Sequence, residues 1–430
     1  MASSSTTPTS RTSTISLPRK ILVLGLARSG EAAALALARR GVEVLGVDLR
    51  EDLDAGRLRE AGVEVVLGAD DPEFLDGVDL LVKSPGVPPA APIAASARER
   101  GMTIWSEVEL GFRLLGNPIL GVTGTNGKTT TCELLGAIFR AAGKDVAVAG
   151  NVGRPLSGLD GALGEEAWIV CELSSFQLED IDVFHPRIAV LLNLAPDHLD
   201  RHASLDEYRA AKLRIFENQE AGDVAVVPRG FGPIPGHAGR IEFGLDDVLP
   251  AEPAIPGEHN RENAAAATAA ARAAGISDDA IAAGVTEFEG VPHRLELVRE
   301  VNGVRFVNDS KATNPEAAER ALSAYPPGIR LILGGSRKGI PFSRLAKRAR
   351  AAGVAQAYLI GDSADEIAEA LAAEGVRFTY SRELPEAVRD AYRDAEPGEV
   401  VLLSPACASY DQFRDFEERG ERFRDFVEAL

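Results

Sequence analysis

Eight residues near the middle of the chain, Thr123-Gly124-Thr125-Asn126-Gly127-Lys128-Thr129-Thr130, restrict its possible folds more than any other stretch. They follow the apolar run 119–122 and precede a helix-patterned segment, 132–140. A strand that passes through a glycine-bearing loop into a helix points successive backbone N–H groups and the positive helix end at one spot, where phosphate is the natural guest. In that layout Lys128 reaches the terminal phosphates, and the Thr129 hydroxyl lies where magnesium bridges them. The general P-loop spacing asks for glycine at position 122, where this chain has valine; glycines stand at 121 and 124 instead. The Gly-Lys-Thr core and its strand-to-helix context are intact, whereas the competing reading is an ordinary turn with an exposed lysine.

At 430 residues the chain can hold two or three domains with full cores. Its hydrophobic fraction of 45% and mean hydropathy of -0.03 indicate a soluble globular protein, and no apolar run is long enough to cross a bilayer. A net charge of -19 argues against nucleic acid as a partner, because phosphate backbones are bound through clustered Lys and Arg. A nucleotide is still accessible to such a chain, since loop N–H groups and one lysine suffice locally. The three cysteines, Cys132, Cys171 and Cys407, are widely spaced among apolar or small residues. Buried thiols in a reducing cytoplasm fit this pattern better than disulfides or a zinc site. Residues 1–17 are rich in Ser and Thr without an apolar core. That composition excludes a secretory signal, leaves an organellar transit peptide open, and is read here as a disordered tail.

From residue 21 the chain alternates short apolar runs with helix-like segments. The run 21–24 leads into Gly25-Leu26-Ala27-Arg28-Ser29-Gly30 and an alanine-rich helix over 31–40, and the next strand, 42–47, ends on Asp48. This is the start of a nucleotide-binding βαβ unit without its middle glycine, or else a plain helix-capping turn. Strands over 63–67 and 80–83 follow, the second ending in Ser84-Pro85-Gly86-Val87-Pro88, and residues 18–106 read as one α/β domain.

The second domain, 107–291, contains the P-loop. Its later strands, 146–149, 168–171, 188–192 and 224–227, are continuous apolar runs, as in a parallel sheet buried on both faces. Polar groups follow three of them: Gly150 and Asn151; Glu172; and Asp197 with His198. Glu172 is a cap, a surface acid or, beside a phosphate loop, a magnesium ligand. His198 is a candidate second metal ligand or orienting group. Spacing alone makes Lys212 a solvated surface lysine, and Asn260 and Asn263 either cap a helix or address one ligand.

The third domain, 292–430, again alternates strands (305–307, 330–333, 356–360, 400–403) with helices, which implies a parallel sheet. Its polar strand ends are 308–314, 334–339 and 404–409, and a last helix over 410–426 reads as a solvated face of acids and arginines.

Taken together, residues 123–130, Gly150 and Asn151, Glu172-Leu173-Ser174-Ser175-Phe176-Gln177-Leu178, Asp197-His198, 208–214, His259, Asn260, Asn263, Pro292-His293-Arg294, 308–314 and 403–412 closely resemble the Mur ligases of peptidoglycan precursor synthesis. Within that family the pattern is similar to the D-glutamate-adding branch, in order and at compatible spacing from residue 21 onward. The resemblance implies an α/β fold of three domains: an N-terminal Rossmann-like UDP-binding domain, a central P-loop ATPase domain with a mainly parallel sheet, and a C-terminal Rossmann-like amino-acid-binding domain.

The resemblance also implies residue roles. Lys128, His198 and Lys212 match catalytic positions, with Lys212 carbamoylated. Thr129, Glu172, His198 and Lys212 match the holders of two magnesium ions. Gly124, Thr125, Asn126, Gly127, Lys128, Thr129, Thr130, Asn260, Asn263, Arg294, Asp309 and Lys311 match the ATP side. Ser29, Asp48, Arg50, Ser84, Gly86, Asn151 and His198 match the UDP-substrate side, and Thr313, Lys338, Ser409 and Phe416 the D-glutamate site. Two departures stand out: Ala27 where the family often has another glycine, and Ser336-Arg337 where it is often acidic.

The implied reaction is ATP-dependent joining of D-glutamate to UDP-N-acetylmuramoyl-L-alanine through an acyl phosphate, in the cytoplasm, by a chain expected to be monomeric. A diaminopimelate- or lysine-adding sibling would carry Asp-Asn-Pro-Arg in the third domain, which is absent. A folate polyglutamylating enzyme would leave the N-terminal domain surplus. A non-catalytic nucleotide-binding module leaves Glu172, His198 and Lys212 without a purpose.

Overall fold

The computed structural model describes residues 17–195, 201–202, 204–255, 257–337 and 340–430. Asp197, His198 and Lys338 lie outside the described residues, as does 1–16 of the expected tail. Leu17 packs against the first core.

The first sheet comprises β1 (Lys20–Leu24), β2 (Glu43–Asp48), β3 (Glu64–Leu67), β4 (Leu80–Lys83) and β5 (Ile104–Ser106), in the order β3-β2-β1-β4-β5 and all parallel. Helices α1 (Arg28–Arg39), α2 (Gly56–Glu60) and α3 (Pro92–Glu99) connect the strands. Ala33, Ala34, Ala36 and Leu37 of α1 are buried, and the three small alanines let the helix lie close on the sheet. Strand order reverses between β1 and β4, so the carboxyl ends of these two strands flank the crevice in which open parallel sheets take ligands.

Helix α4 (Glu107–Leu114) serves two cores: Leu110 and Leu114 pack with the first sheet, Val108 with the second. Its Glu109 carboxylate accepts backbone N–H groups of Asp182 at 2.8 Å and Phe184 at 2.9 Å.

The second sheet contains β6 (Ile119–Thr123), β7 (Val146–Gly150), β8 (Trp168–Glu172), β9 (Ile188–Leu191), β10 (Val224–Pro228) and β11 (Gly239–Phe243). Its order is β11-β10-β9-β6-β8-β7, again parallel, and every residue of β6 is buried at its centre. Helices α5 (Lys128–Ala141), α6 (Ser175–Leu178), α7 (Leu205–Leu213), α8 (Glu258–Ala273) and α9 (Asp278–Glu287) accompany it. Sequence patterning misses β11 because this edge strand is largely exposed and carries Arg240 and Glu242 in place of an apolar run.

The third sheet contains β12 (Glu296–Val301), β13 (Val304–Asn308), β14 (Ile329–Gly334), β15 (Val354–Ile360), β16 (Phe378–Arg382) and β17 (Val400–Leu403), ordered β12-β13-β17-β14-β15-β16. The parallel expectation needs one correction: β12 runs antiparallel to β13. An edge strand reached by a tight turn at Asn302 and Gly303 has no room for a crossover, so it returns as a hairpin. Helices α10 (Pro315–Ala321), α11 (Ser343–Ala351), α12 (Ala364–Ala373), α13 (Leu384–Asp394) and α14 (Phe416–Glu428) complete the domain.

The expected last helix is corrected too. It starts at Phe416, capped by the Asp415 side chain, and Arg419 on it is fully buried. The first two sheets belong to one compact unit and the third sheet to a second. All three cysteines are buried, and among the described residues none forms a disulfide. Among the described residues no helix is long and apolar enough to cross a membrane.

Candidate active site

The loop between β6 and α5 has the predicted form. Gly127 caps α5 in the left-handed region, φ 83°, which favours glycine. A Cβ there would also stand 2.2 Å from Asn263 Oδ1, so this glycine admits the α8 side chain to the phosphate loop. Asn263 lies inside α8 and therefore does not cap it. Asn260, one turn earlier, is buried as well.

Asn193 clasps the loop from the end of β9. Its Oδ1 accepts from Asn126 N at 2.9 Å, and its Nδ2 donates to Asn126 O at 3.2 Å. Thr125 Oγ1 lies 3.0 Å from the Tyr208 hydroxyl. Thr129 and Thr130 are buried in the first turn of α5.

Two lysines converge on one carbonyl. Lys128 Nζ and Lys212 Nζ each donate to Gly124 O at 2.9 Å, and Lys128 donates also to Thr125 O at 2.9 Å. Lys212 is 2% exposed, and its ammonium lies 4.7 Å from the centre of the Tyr208 ring. The solvated lysine expected from spacing is thus a buried one, because α7 packs against the phosphate loop. Two like charges sharing one acceptor repel, and an anion between them removes the cost.

Glu172 ends β8 opposite Val122, two residues before Gly124. Its Oε1 accepts from Asn151 Nδ2 at 3.0 Å, while Oε2 is buried and has no hydrogen-bond partner among the described residues. Buried polar atoms are nearly always satisfied, and an orphaned carboxylate oxygen suits a hard cation. Among the described residues no group of three or more His, Cys, Asp or Glu gathers for a metal. Glu172 fits magnesium, which takes one or two carboxylates and completes its shell with phosphate and water oxygens.

At the first sheet's crevice, Gly30 is required by close approach: a Cβ there would fall 1.8 Å from Gly25 O. Ala27 is exposed, so the position of the missing glycine makes no such contact. Asp48 at the end of β2 organises this loop. It accepts from Leu26 N at 2.7 Å and from Arg50 Nε and Nη2 at 3.0 and 2.9 Å. Burial raises the Asp48 pKa, but the Arg50 guanidinium and the N–H groups of Arg50 and Leu26 outweigh it and hold the carboxyl below its ordinary value. Ser84 is buried, Gly86 exposed and Ser29 half-buried at the same end of the sheet.

In the other unit, Asp309 is buried at the end of β13 and accepts from Ser404 Oγ at 2.7 Å. Burial pushes its pKa up to about 7 against the Ser404 hydrogen bond and the nearby Arg294 charge. Lys311 lies 5.8 Å from the Phe416 ring, and Ser409 is buried. Thr313 N donates to Lys311 O at 2.9 Å.

Sequence reading misses Tyr208 and Arg419. A tyrosine four residues before Lys212 shares its helix face, which is the available signal. Arg419 falls on the stripe of Phe416, Phe423 and Val427, a helical spacing that buries it. Its Nε donates to Ser310 Oγ at 2.9 Å, Nη2 to Ser310 O at 2.8 Å and Nη1 to Cys407 O at 3.1 Å, tying two polar loops together.

Three families match in succession: the Mur ligase MurD-like N-terminal domain over residues 19–106, the Mur ligase middle domain over 122–230, and the Mur ligase glutamate ligase domain over 293–407. The UDP-N-acetylmuramoylalanine--D-glutamate ligase of Pelotomaculum thermopropionicum is 43% identical, covering 96% of this chain and 98% of that one. The protein of the same name from Myxococcus xanthus is 41% identical with the same coverage, 96% and 98%. In fold, the chain is similar to the MurF ligase of Thermotoga maritima solved in complex with ADP, with a TM-score of 0.61 and 18% identity over 90% of this chain and 95% of that one. Residue patterns, fold and relatives agree along the chain, which belongs to the Mur ligase family.

Proposed function

We propose that this chain is an ATP-dependent ligase that joins the amine of D-glutamate to the terminal carboxylate of UDP-N-acetylmuramoyl-L-alanine, yielding ADP and phosphate, in cytoplasmic peptidoglycan precursor synthesis. The observation that carries this reading is the pair of lysines on Gly124 O, one from the phosphate loop and one buried beneath it. A nucleotide switch needs only the first.

A carboxylate is a poor electrophile for an amine. Its oxygen therefore attacks the γ-phosphorus of ATP, ADP leaves, and the carboxylate becomes an acyl phosphate. The deprotonated D-glutamate amine attacks the acyl carbon, and phosphate departs with the bridging oxygen. Phosphoryl transfer needs mainly positioning and charge neutralisation. Lys128 neutralises the transferring phosphate and the loop N–H groups orient it.

Thr129, Glu172, Lys212 as its carbamate, and His198 are the residues to hold magnesium at two positions. Magnesium, when bound, supplies further neutralisation of the phosphate oxygens. Carbamoylation converts a repelling ammonium into an oxygen donor: the neutral Lys212 amine adds to carbon dioxide and releases a proton. We assign the UDP end of the substrate to the domain 18–106 through Ser29, Asp48, Arg50, Ser84 and Gly86, with Asn151 and His198 toward the muramoyl part. Domain 107–291 takes ATP through residues 124–130, Asn260 and Asn263. In 292–430, Arg294, Asp309 and Lys311 serve the nucleotide, and Thr313, Lys338, Ser409 and Phe416 the D-glutamate.

The test is incubation with ATP, magnesium, UDP-N-acetylmuramoyl-L-alanine and each amino acid in both configurations. Amide product with D-glutamate, one ADP per product, is expected. Product with another amino acid in its place, or none at all, overturns the assignment.

A further inference from the structure

Just beyond the 84–87 turn of the first domain, the second domain presents a cluster of charged and aromatic side chains to which the reaction above gives no task. Arg201 Nη1 donates to Pro85 O at 3.1 Å and Nη2 to Val87 O at 3.3 Å. The same guanidinium lies 4.1 Å from the centre of the Phe176 ring. Phe176 belongs to α6, four residues after Glu172, and stacks on His202 with ring centroids 5.4 Å apart at 12°. His202 is buried and its Nε2 lies 3.0 Å from Ser175 Oγ.

Beneath the turn, Lys83 pairs with Asp180 at 3.0 Å, with side chains 1% and 8% exposed, and Lys83 Nζ also donates to Val87 O at 3.3 Å. Arg98 supplies Asp180 with a second cation at 3.0 Å. A buried ionic group of this kind contributes little net stability, since desolvation offsets the attraction, and its best-attested use is to select one geometry. Here the geometry selected is that of the turn. Val87 N donates to Ser84 O at 3.0 Å to close it, and its outward carbonyls at 85 and 87 are both taken by cations.

We infer that Arg201 is a positioning residue: standing on Phe176, its planar fork fixes the distance between the turn holding Ser84 and Gly86 and the start of α6 that continues from Glu172. The inference rests on the proposed function, in which one substrate spans these two points, its uridine diphosphate at the turn and its carboxylate at the phosphate loop. A displacement of about 1 Å between the two ends costs up to about a hundredfold in rate, because the carboxylate no longer meets phosphorus in line. The guanidinium suits this task better than an ammonium, since it bonds two carbonyls in one plane while stacking on a ring.

The test compares wild type, Arg201→Gln and Arg201→Lys, with Phe176→Leu as an independent change to the same clamp. The wild-type enzyme must first form product with D-glutamate; if it does not, the functional reading fails and the clamp is not at issue. Given an active wild type, Arg201→Gln is expected to lower kcat about tenfold or more, with KM for ATP and Kd for UDP alone within about twofold. Arg201→Lys keeps the charge and is expected to restore less than half of the loss. Phe176→Leu should lower kcat in the same direction and add little in the double variant, as coupled residues do. Unchanged kcat in Arg201→Gln overturns the inference. So does a parallel fall in UDP and ATP affinity with a lowered Tm, the mark of a merely structural residue.

Discussion

The chain builds the same local object twice, a strand passing through a glycine loop into a helix, and puts opposite charges on the two. Around the loop after β6, two lysine ammoniums meet on Gly124 O, and Glu172 keeps one carboxylate oxygen without a partner among the described residues. Around the loop after β1, the organising charge is Asp48, satisfied by Leu26 N and Arg50. Backbone layout supplies N–H groups and a helix end in both places, yet the first loop gathers two lysine ammoniums and the second a carboxylate paired with Arg50. The difference lies in side chains delivered from elsewhere: Lys212 from α7 and Asn263 from α8 at one loop, Asp48 from β2 at the other.

The strongest way to break this contrast is Lys128→Ala. Turnover is expected to fall on the order of a thousandfold or more by phosphate release, since the transferring charge loses its nearest neutralising group. An unaltered rate contradicts the loop's assignment. Lys212→Ala should cost about a hundredfold and recover partly on addition of formate or acetate, small carboxylates able to stand in for a carbamate. Full activity of the variant without additions removes the carbamate from the account.

Changes at the other loop should leave ATP alone. Gly30→Ala forces a Cβ against Gly25 O and is expected to destabilise the protein by about 1–3 kcal/mol in urea unfolding. It should raise KM for the UDP substrate with KM for ATP unchanged; a shift in ATP instead would merge the roles of the two loops. The smallest effect is that of Asp48→Asn. Because the folded carboxyl is held below its ordinary value, its stabilisation is present above that value and is lost as pH falls through the folded pKa. The variant should lose roughly 1 kcal/mol at neutral pH, a modest figure because Arg50 is half exposed and solvent screens the pair. That difference should start to shrink as pH falls through about 4 and vanish only below the depressed folded value, and a constant difference across pH would exclude the carboxylate as its source.

What the sequence discloses follows from how local each feature is. The phosphate loop is legible because strand, glycines, lysine and helix are contiguous, and the parallel sheets because buried strands are unbroken apolar runs. Lys212 looks solvated on spacing alone because its burial depends on where α7 packs, a tertiary fact. Arg419 hides in a helix of alternating charges, and only its place on the stripe of Phe416, Phe423 and Val427 distinguishes it from its solvated neighbours. Arg201 has no local signal, since both carbonyls it binds lie more than a hundred residues earlier. β11 and β12 escape because edge strands alternate or expose charge and never form a continuous apolar run.

Activation at the phosphate loop of a carboxylate held from the other loop passes one carboxylate oxygen to phosphate. It is tested most directly by labelling the terminal carboxylate of UDP-N-acetylmuramoyl-L-alanine with oxygen-18 and analysing the phosphate released during turnover with ATP and D-glutamate. One labelled oxygen transferred to inorganic phosphate for each amide formed is the predicted result. Unlabelled phosphate, or label recovered in AMP, contradicts the account.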